Sequence, residues 1–268
     1  MSPASVSTAF RRALAWEPLG DGTWRGTLDA TWSQGRATFG GLQAALLVQA
    51  MQARVHPDRP LRSLHVAFSG PLAPGPAELA SRVERAGGSL TVATARIVQE
   101  GVSRTVGTGT FGRPRAHGVI LADPPLPERP RPPRAVQMPA LPGMPAFTRY
   151  AYIDLLRGMP FGGADRAEIA GWGRFVEPEP ADAPLLAAIA DLWPPAILAV
   201  VDRPRPSASA DMTVQFLHPP PLSVPDDALY AFEARSTAVA DGYAEERGKV
   251  WDPSGRLVMR IRQLRVVY

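Results

Sequence analysis

The chain has 268 residues, 45% apolar and 20% charged, which suffices for one large domain or two modest ones with a real core. Its formal charge of +4 comes from scattered arginines and aromatics make up only 7%, which argues against a basic, base-stacking surface for nucleic acid. Cysteine is absent, and this excludes disulfides, thiolate metal sites and a cysteine nucleophile together.

In chain order, Met1–Arg12 has no apolar core of the kind a secretory signal carries. Trp24–Trp32 reads as a strand after a turn at Gly20-Asp-Gly22. Gly40-Gly41 then opens a helix running to about Val55, with no charge before Arg54. A helix apolar on nearly every side is expected to be buried on nearly every side. The longest charge-free run, Ala37–Ala53, is shorter than a membrane span and contains Gln43, Gln49 and Gln52, so a soluble, cytoplasmic protein is expected. Arg62–Ser69 alternates with the period of a strand, Leu64, Val66 and Phe68 against Ser63, His65 and Ala67. Ala77–Ala86, Ser89–Glu100 and Ser103–Phe111 follow as three more strands, with hairpin turns at Gly87-Gly88 and Glu100-Gly101.

Ten prolines fall between Arg113 and Ala146, too many for helix or sheet, which predicts a stiff, extended connection. The second half then repeats the plan. Thr148–Leu156 and Glu168–Phe175 are strand candidates. Asp182 is a cap candidate for a helix with Pro184 in its first turn, stopped near Pro194-Pro195. Ser209–His218, Tyr230–Ala238, Ala244–Trp251 and Leu257–Val267 complete four strands. The fold class is α+β: antiparallel sheet with one long helix per half laid against it.

Several motifs are tested and set aside. Gly107-Thr-Gly109-Thr-Phe-Gly112 matches a dinucleotide fingerprint, but Arg113-Pro114 follows where a helix is needed. There is no G-x-S-x-G elbow. His56, His65, His117 and His218 show no i, i+4 pairing of a metal site.

Polar residues in apolar rows are more informative. In the last strand Gln263 shares a face with Leu257, Met259, Ile261 and Val267, and a buried amide must find partners, in the core or on a ligand. Asp191 is the only charged residue between Asp182 and Asp202. On the expected helix it falls away from Leu185, Leu186, Ile189 and Leu192, among Ala187 and Ala190. It reads either as a solvated carboxylate or as a buried general base with a raised pKa. Ser209 starts a strand whose alternation puts Asp211, Thr213 and Gln215 on its face; by itself it is a strand-edge hydroxyl. Gly40-Gly41 offers unpaired helix N-terminal amides, suited to an anion or to a tight helix–sheet turn.

The order of these features resembles the type II acyl-CoA thioesterase family, a double hot-dog fold. The resemblance rests on Phe39-Gly-Gly-Leu-Gln43, Leu64-His-Val-Ala-Phe68 and Pro71 in the first half. In the second it rests on Leu185-Leu-Ala-Ala-Ile-Ala-Asp191, Ala208-Ser-Ala-Asp211 through Phe216 and His218, and Gly255 through Gln263. It implies an N-terminal hot-dog over 1–112, a proline-rich linker over 113–146 and a C-terminal hot-dog over 147–268. It also implies Asp191, Ser209 and Gln263 as the catalytic set, with Gly40, Gly41 and His65 at the substrate. The serine stands where the family commonly has threonine. The implied reaction is hydrolysis of an acyl-CoA by a water that these three residues activate. Gly41 is then the oxyanion donor, no metal or redox cofactor is needed, and association into a homo-oligomer is expected. Two other readings stand beside it. One is an acyl-thioester-binding protein without turnover. The other is a hydratase using an aspartate–histidine pair, for which Asp211 and His218 lie on opposite faces by their odd separation.

Overall fold

A computed structural model of the chain describes residues 7–115, 124–126 and 144–268. The expected linker, 113–146, lies mostly outside the described residues, as does His117. The first half runs α1 (Ala9–Leu14), β1 (Glu17–Gly20), β2 (Thr23–Leu28), the two-residue strands β3 (Ser33–Gln34) and β4 (Ala37–Thr38), and α2 (Gly40–Gln52). Then come β5 (Leu61–Phe68), β6 (Gly75–Ala86), β7 (Leu90–Gln99) and β8 (Val102–Gly112). The second half runs β9 (Ala151–Arg157), β10 (Glu168–Phe175), α3 (Ala183–Ile189), β11 (Ser207–Phe216), β12 (Tyr230–Ala240), β13 (Tyr243–Trp251) and β14 (Leu257–Val267).

Two expected strands are shorter than their apolar runs. After β2, Asp29 accepts a hydrogen bond from the Thr31 amide at 2.7 Å and caps a turn of 3-10 helix over Ala30–Trp32. A similar 3-10 turn over Ala146–Tyr150 delays the start of β9. The hairpin at Glu100-Gly101 has positive φ at both residues (54° and 74°), the geometry that suits the twist of the flanking strands.

The twelve main strands form one antiparallel sheet in the order β1-β2-β6-β7-β8-β5-β11-β14-β13-β12-β10-β9. Its two six-stranded halves have the same connectivity and meet along β5 and β11, where Leu64 faces Val214 and Val66 faces Met212. The duplication in the sequence is therefore a duplication of topology. The sheet holds α2 and α3 against each other. Every α2 residue from Gly41 to Val48 is buried, as its lack of charge requires. Glycines in β8 let it lie close: a Cβ at Gly107 would come within 2.9 Å of Leu47, and one at Gly109 within 3.1 Å of the Met51 sulfur. These contacts account for the small-residue strand end of the Gly107–Gly112 motif.

The helices are unequal. α2 has 13 residues and α3 only 7, ending at Ile189 with Ala190 as its C-cap. The expected second helix, reaching Pro194, is thus cut short, and Asp191 sits in the turn just beyond it. α3 starts as its sequence predicts, with the Asp182 carboxylate accepting from the Leu185 amide at 3.0 Å.

Candidate active site

α2 has no side-chain cap of its own: its N-cap is Phe39, which cannot accept a hydrogen bond through its side chain. The orphan amides at that end face Asp191, and the Gly41 N–H is close enough to favour its carboxylate form. A residue 150 positions away in sequence thus faces the start of the buried helix, where the positive end of the helix dipole suits its charge. The approach needs both glycines. A Cβ at Gly40 would stand 2.5 Å from Asp191 Oδ2, and one at Gly41 2.6 Å from the Ala188 carbonyl oxygen.

β14 supplies the next member. Gln263 is 3% exposed, and its Nε2 donates to Asp191 Oδ1 at 3.2 Å. Ser209 of β11 donates from Oγ to Gln263 Oε1 at 3.1 Å. Simple alternation puts Ser209 on the face of Asp211, Thr213 and Gln215, and the structure corrects this. The pairing shifts between Ser209 and Asp211, so that Ser209 lies opposite Arg265 and Asp211 opposite Leu264. The bulge inserts one residue and turns Ser209 onto the inner face with Gln263. Asp211 is turned outward, where it accepts from the Leu264 amide at 3.2 Å.

Two residues that sequence reasoning passed over complete the cluster. Arg265, next on the Gln263 face of β14, donates from Nη1 to Ser209 Oγ at 2.5 Å and stands 3.7 Å from Asp191 Oδ1. Its Nε and Nη2 both donate to Glu246 Oε1, at 3.1 and 2.9 Å. Glu246 of β13 lies directly across from Gln263, and its other oxygen accepts from the Ala196 amide at 2.5 Å. The signal for both was available: each falls on the buried phase of its strand's alternation.

Burial raises the Asp191 carboxyl above the ordinary range, and the negative charge of Glu246 adds to this. Arg265, the Gln263 hydrogen bond and the Gly41 amide oppose the rise. The arrangement is a buried carboxylate at a helix N-terminus, linked to a polarised amide and hydroxyl. It can hold a water and take its proton.

The remaining expected residues are placed as follows. Gly40 and Gly41 form the wall against Asp191. Gly41 lies at the N-terminus of α2, where its amide faces the Asp191 carboxylate. His65 is on the outer face of β5, exposed, with Nδ1 3.0 Å from Thr213 Oγ1, and the structure does not bring it to the cluster.

Comparison with known proteins bears on the family and the fold. Residues 28–112 match the family model of the acyl-CoA thioesterase N-terminal domain, and residues 123–267 match that of the C-terminal domain. No functionally curated protein matches the chain. Among solved structures, a protein of unknown function with hot dog fold from Alicyclobacillus acidocaldarius is 27% identical with a TM-score of 0.87, covering 98% of this chain and 99% of its own. An acyl-CoA thioesterase II, TesB2, from Mycobacterium marinum is 23% identical with a TM-score of 0.76, covering 97% and 98%. The tesB protein of Mycobacterium avium subspecies paratuberculosis is 20% identical, also at 0.76, over 97% and 98%. The latter two likenesses concern the fold.

Proposed function

This chain belongs to the acyl-CoA thioesterase family and has a double hot-dog fold, and we propose that it hydrolyses a fatty acyl-CoA or related acyl thioester to the free acid and CoA. The observation that carries the reading is the convergence of Asp191, Ser209 and Gln263, from three separate segments, into one hydrogen-bonded chain.

The donors and acceptors fit one water. Gln263 Nε2 gives one hydrogen to Asp191 and keeps one, which can donate to the water oxygen. Ser209 Oγ accepts from Arg265 and donates to Gln263, which leaves one lone pair to accept from the water. Asp191 accepts the water's other hydrogen. The remaining water lone pair is then directed at the thioester carbonyl. As the carbon–oxygen bond forms, the proton passes to Asp191. Collapse of the tetrahedral intermediate breaks the carbon–sulfur bond, and the departing thiolate takes that proton. The oxyanion is assigned to the backbone amides at the N-terminus of α2, with Gly41 as donor and Gly40 beside it.

The test is release of free CoA thiol from a panel of acyl chain lengths, with the wild type beside Asp191→Asn. Loss of the base is expected to lower kcat by about 10²–10⁴-fold. Measurable binding with no turnover of any thioester would sink the enzyme reading and leave a thioester-binding protein.

A further inference from the structure

The Arg265–Glu246 pair takes no part in the proton transfer itself, yet both side chains are almost wholly buried, at 4% exposure each. Burying two ions is costly, and a pair that only filled space would be served as well by apolar side chains. The geometry gives this pair a task. Ser209, as a hydroxyl, could donate in either direction, and the Gln263 amide could be turned end for end. Arg265 can only donate. By donating to Ser209 Oγ it forces the Ser209 hydrogen toward Gln263. That makes the facing Gln263 atom the carbonyl oxygen and turns the amide hydrogens to Asp191. Hydrogen bonding then runs one way, from Arg265 through Ser209 and Gln263 to Asp191. Glu246 fixes Arg265 by accepting two of its hydrogens, and is itself fixed by the Ala196 amide.

We infer that Arg265, clamped by Glu246, is a positioning residue that sets the polarity of the water-holding chain and places its own charge beside the Asp191 carboxyl, 3.7 Å away. This rests on the hydrolytic reading of the same site. Among the described residues the charged groups facing Asp191 are Arg265 from β14 and Glu246 from β13; α2 presents backbone amides, and β5 presents the Phe68 ring beside Gly40. The sign follows from proximity. Arg265 favours the carboxylate and Glu246, on its far side, disfavours it, and the effect of Arg265 is the larger. Neutralising both therefore makes Asp191 harder to ionise.

The test compares the Arg265→Gln/Glu246→Gln double variant and Arg265→Lys with the wild type, following kcat, KM and the acid limb of kcat/KM. In the double variant, with cooperative melting retained, the acid limb is expected to move up by about one pH unit. Its kcat is expected to fall about 100-fold through misplacement of the water, with KM unchanged. Arg265→Lys keeps the charge and loses the fork, so the limb holds while kcat falls. An unmoved limb in a folded double variant overturns the inference. If the double variant does not fold, Arg265→Lys with wild-type kcat overturns it. Failure of the hydrolytic reading is separable. If the wild type turns over no thioester, the carbon-13 titration of the Asp191 carboxyl still reports on Arg265. A midpoint equal in wild type and double variant refutes the inference there too.

Discussion

Burial raises the Asp191 carboxyl ahead of the lowering by Arg265, Gln263 and Gly41. Two consequences follow at the residue scale. A base must be ionised, so kcat/KM is expected to fall on acidification around a midpoint above the ordinary carboxylate value of about 3.9. A pH–rate profile with its acid limb at or below that value contradicts the raised pKa. Stability carries the opposite sign. A carboxyl with its folded pKa raised stabilises the fold fully below its unfolded pKa, and that contribution is lost as pH rises through the folded pKa. Asp191→Asn stays neutral throughout. Its melting temperature should therefore match the wild type in acid and exceed it at pH 8, the gap opening with pH. Melting curves across that range check it; a gap independent of pH counts against a strained carboxylate. The gain in stability with loss of activity is the usual exchange at a catalytic site.

At the scale of elements, the site exists because the α2 N-terminus and the turn after α3 touch. The two glycines that permit this do different work. A Cβ at Gly41 meets the Ala188 backbone oxygen and the Phe39 ring, so Gly41→Ala must push the helices apart. We expect a loss of about 1–3 kcal/mol in urea unfolding. A Cβ at Gly40 meets the end of the Asp191 side chain, which can swing away. Gly40→Ala should cost little stability and most of the activity, and thiol release measured beside urea melts separates the two. The sequence made much of this level legible. Alternation located the strands, and the absence of charge declared α2 buried. It placed Gln263 inward correctly. It misplaced Ser209 because a single-residue bulge reverses every face beyond it, and nothing local marks one in Ser209-Ala-Asp211. It missed Arg265 because an arginine in an apolar row ordinarily carries its charge out to water. Only the buried Glu246 on the neighbouring strand makes the inward rotamer tenable.

Across the whole molecule, the two halves share one core. Aromatic pairs straddle the duplication: Phe10 on Phe175 at 5.0 Å, Trp32 on Tyr150 at 4.3 Å, and Phe39 on Phe147 at 4.0 Å. Arg11 reaches across to Glu179 and to Asp182, the cap of α3, each at 2.8 Å. The central β5–β11 pairing joins the two sheets. We therefore expect one calorimetric unfolding transition, with the calorimetric and van't Hoff enthalpies equal; two resolved transitions refute the shared core. The halves differ in charge. The polar cluster beside α2 in the first is neutral, Thr105 donating to Gln43 and Gln43 donating to the Thr38 carbonyl at 2.6 Å. The second carries Asp191, Glu246 and Arg265. The sequence by itself determined the repeat, the antiparallel strands and the buried first helix, because these follow from local periodicity, turn chemistry and the cost of burying charge. The tertiary structure alone decided that Asp191 meets the N-terminus of a helix from the other half, that a bulge brings Ser209 inward, and that Arg265 and Glu246 belong beside them. Those contacts join residues distant in the chain, and no local period encodes which distant partner a buried charge will meet.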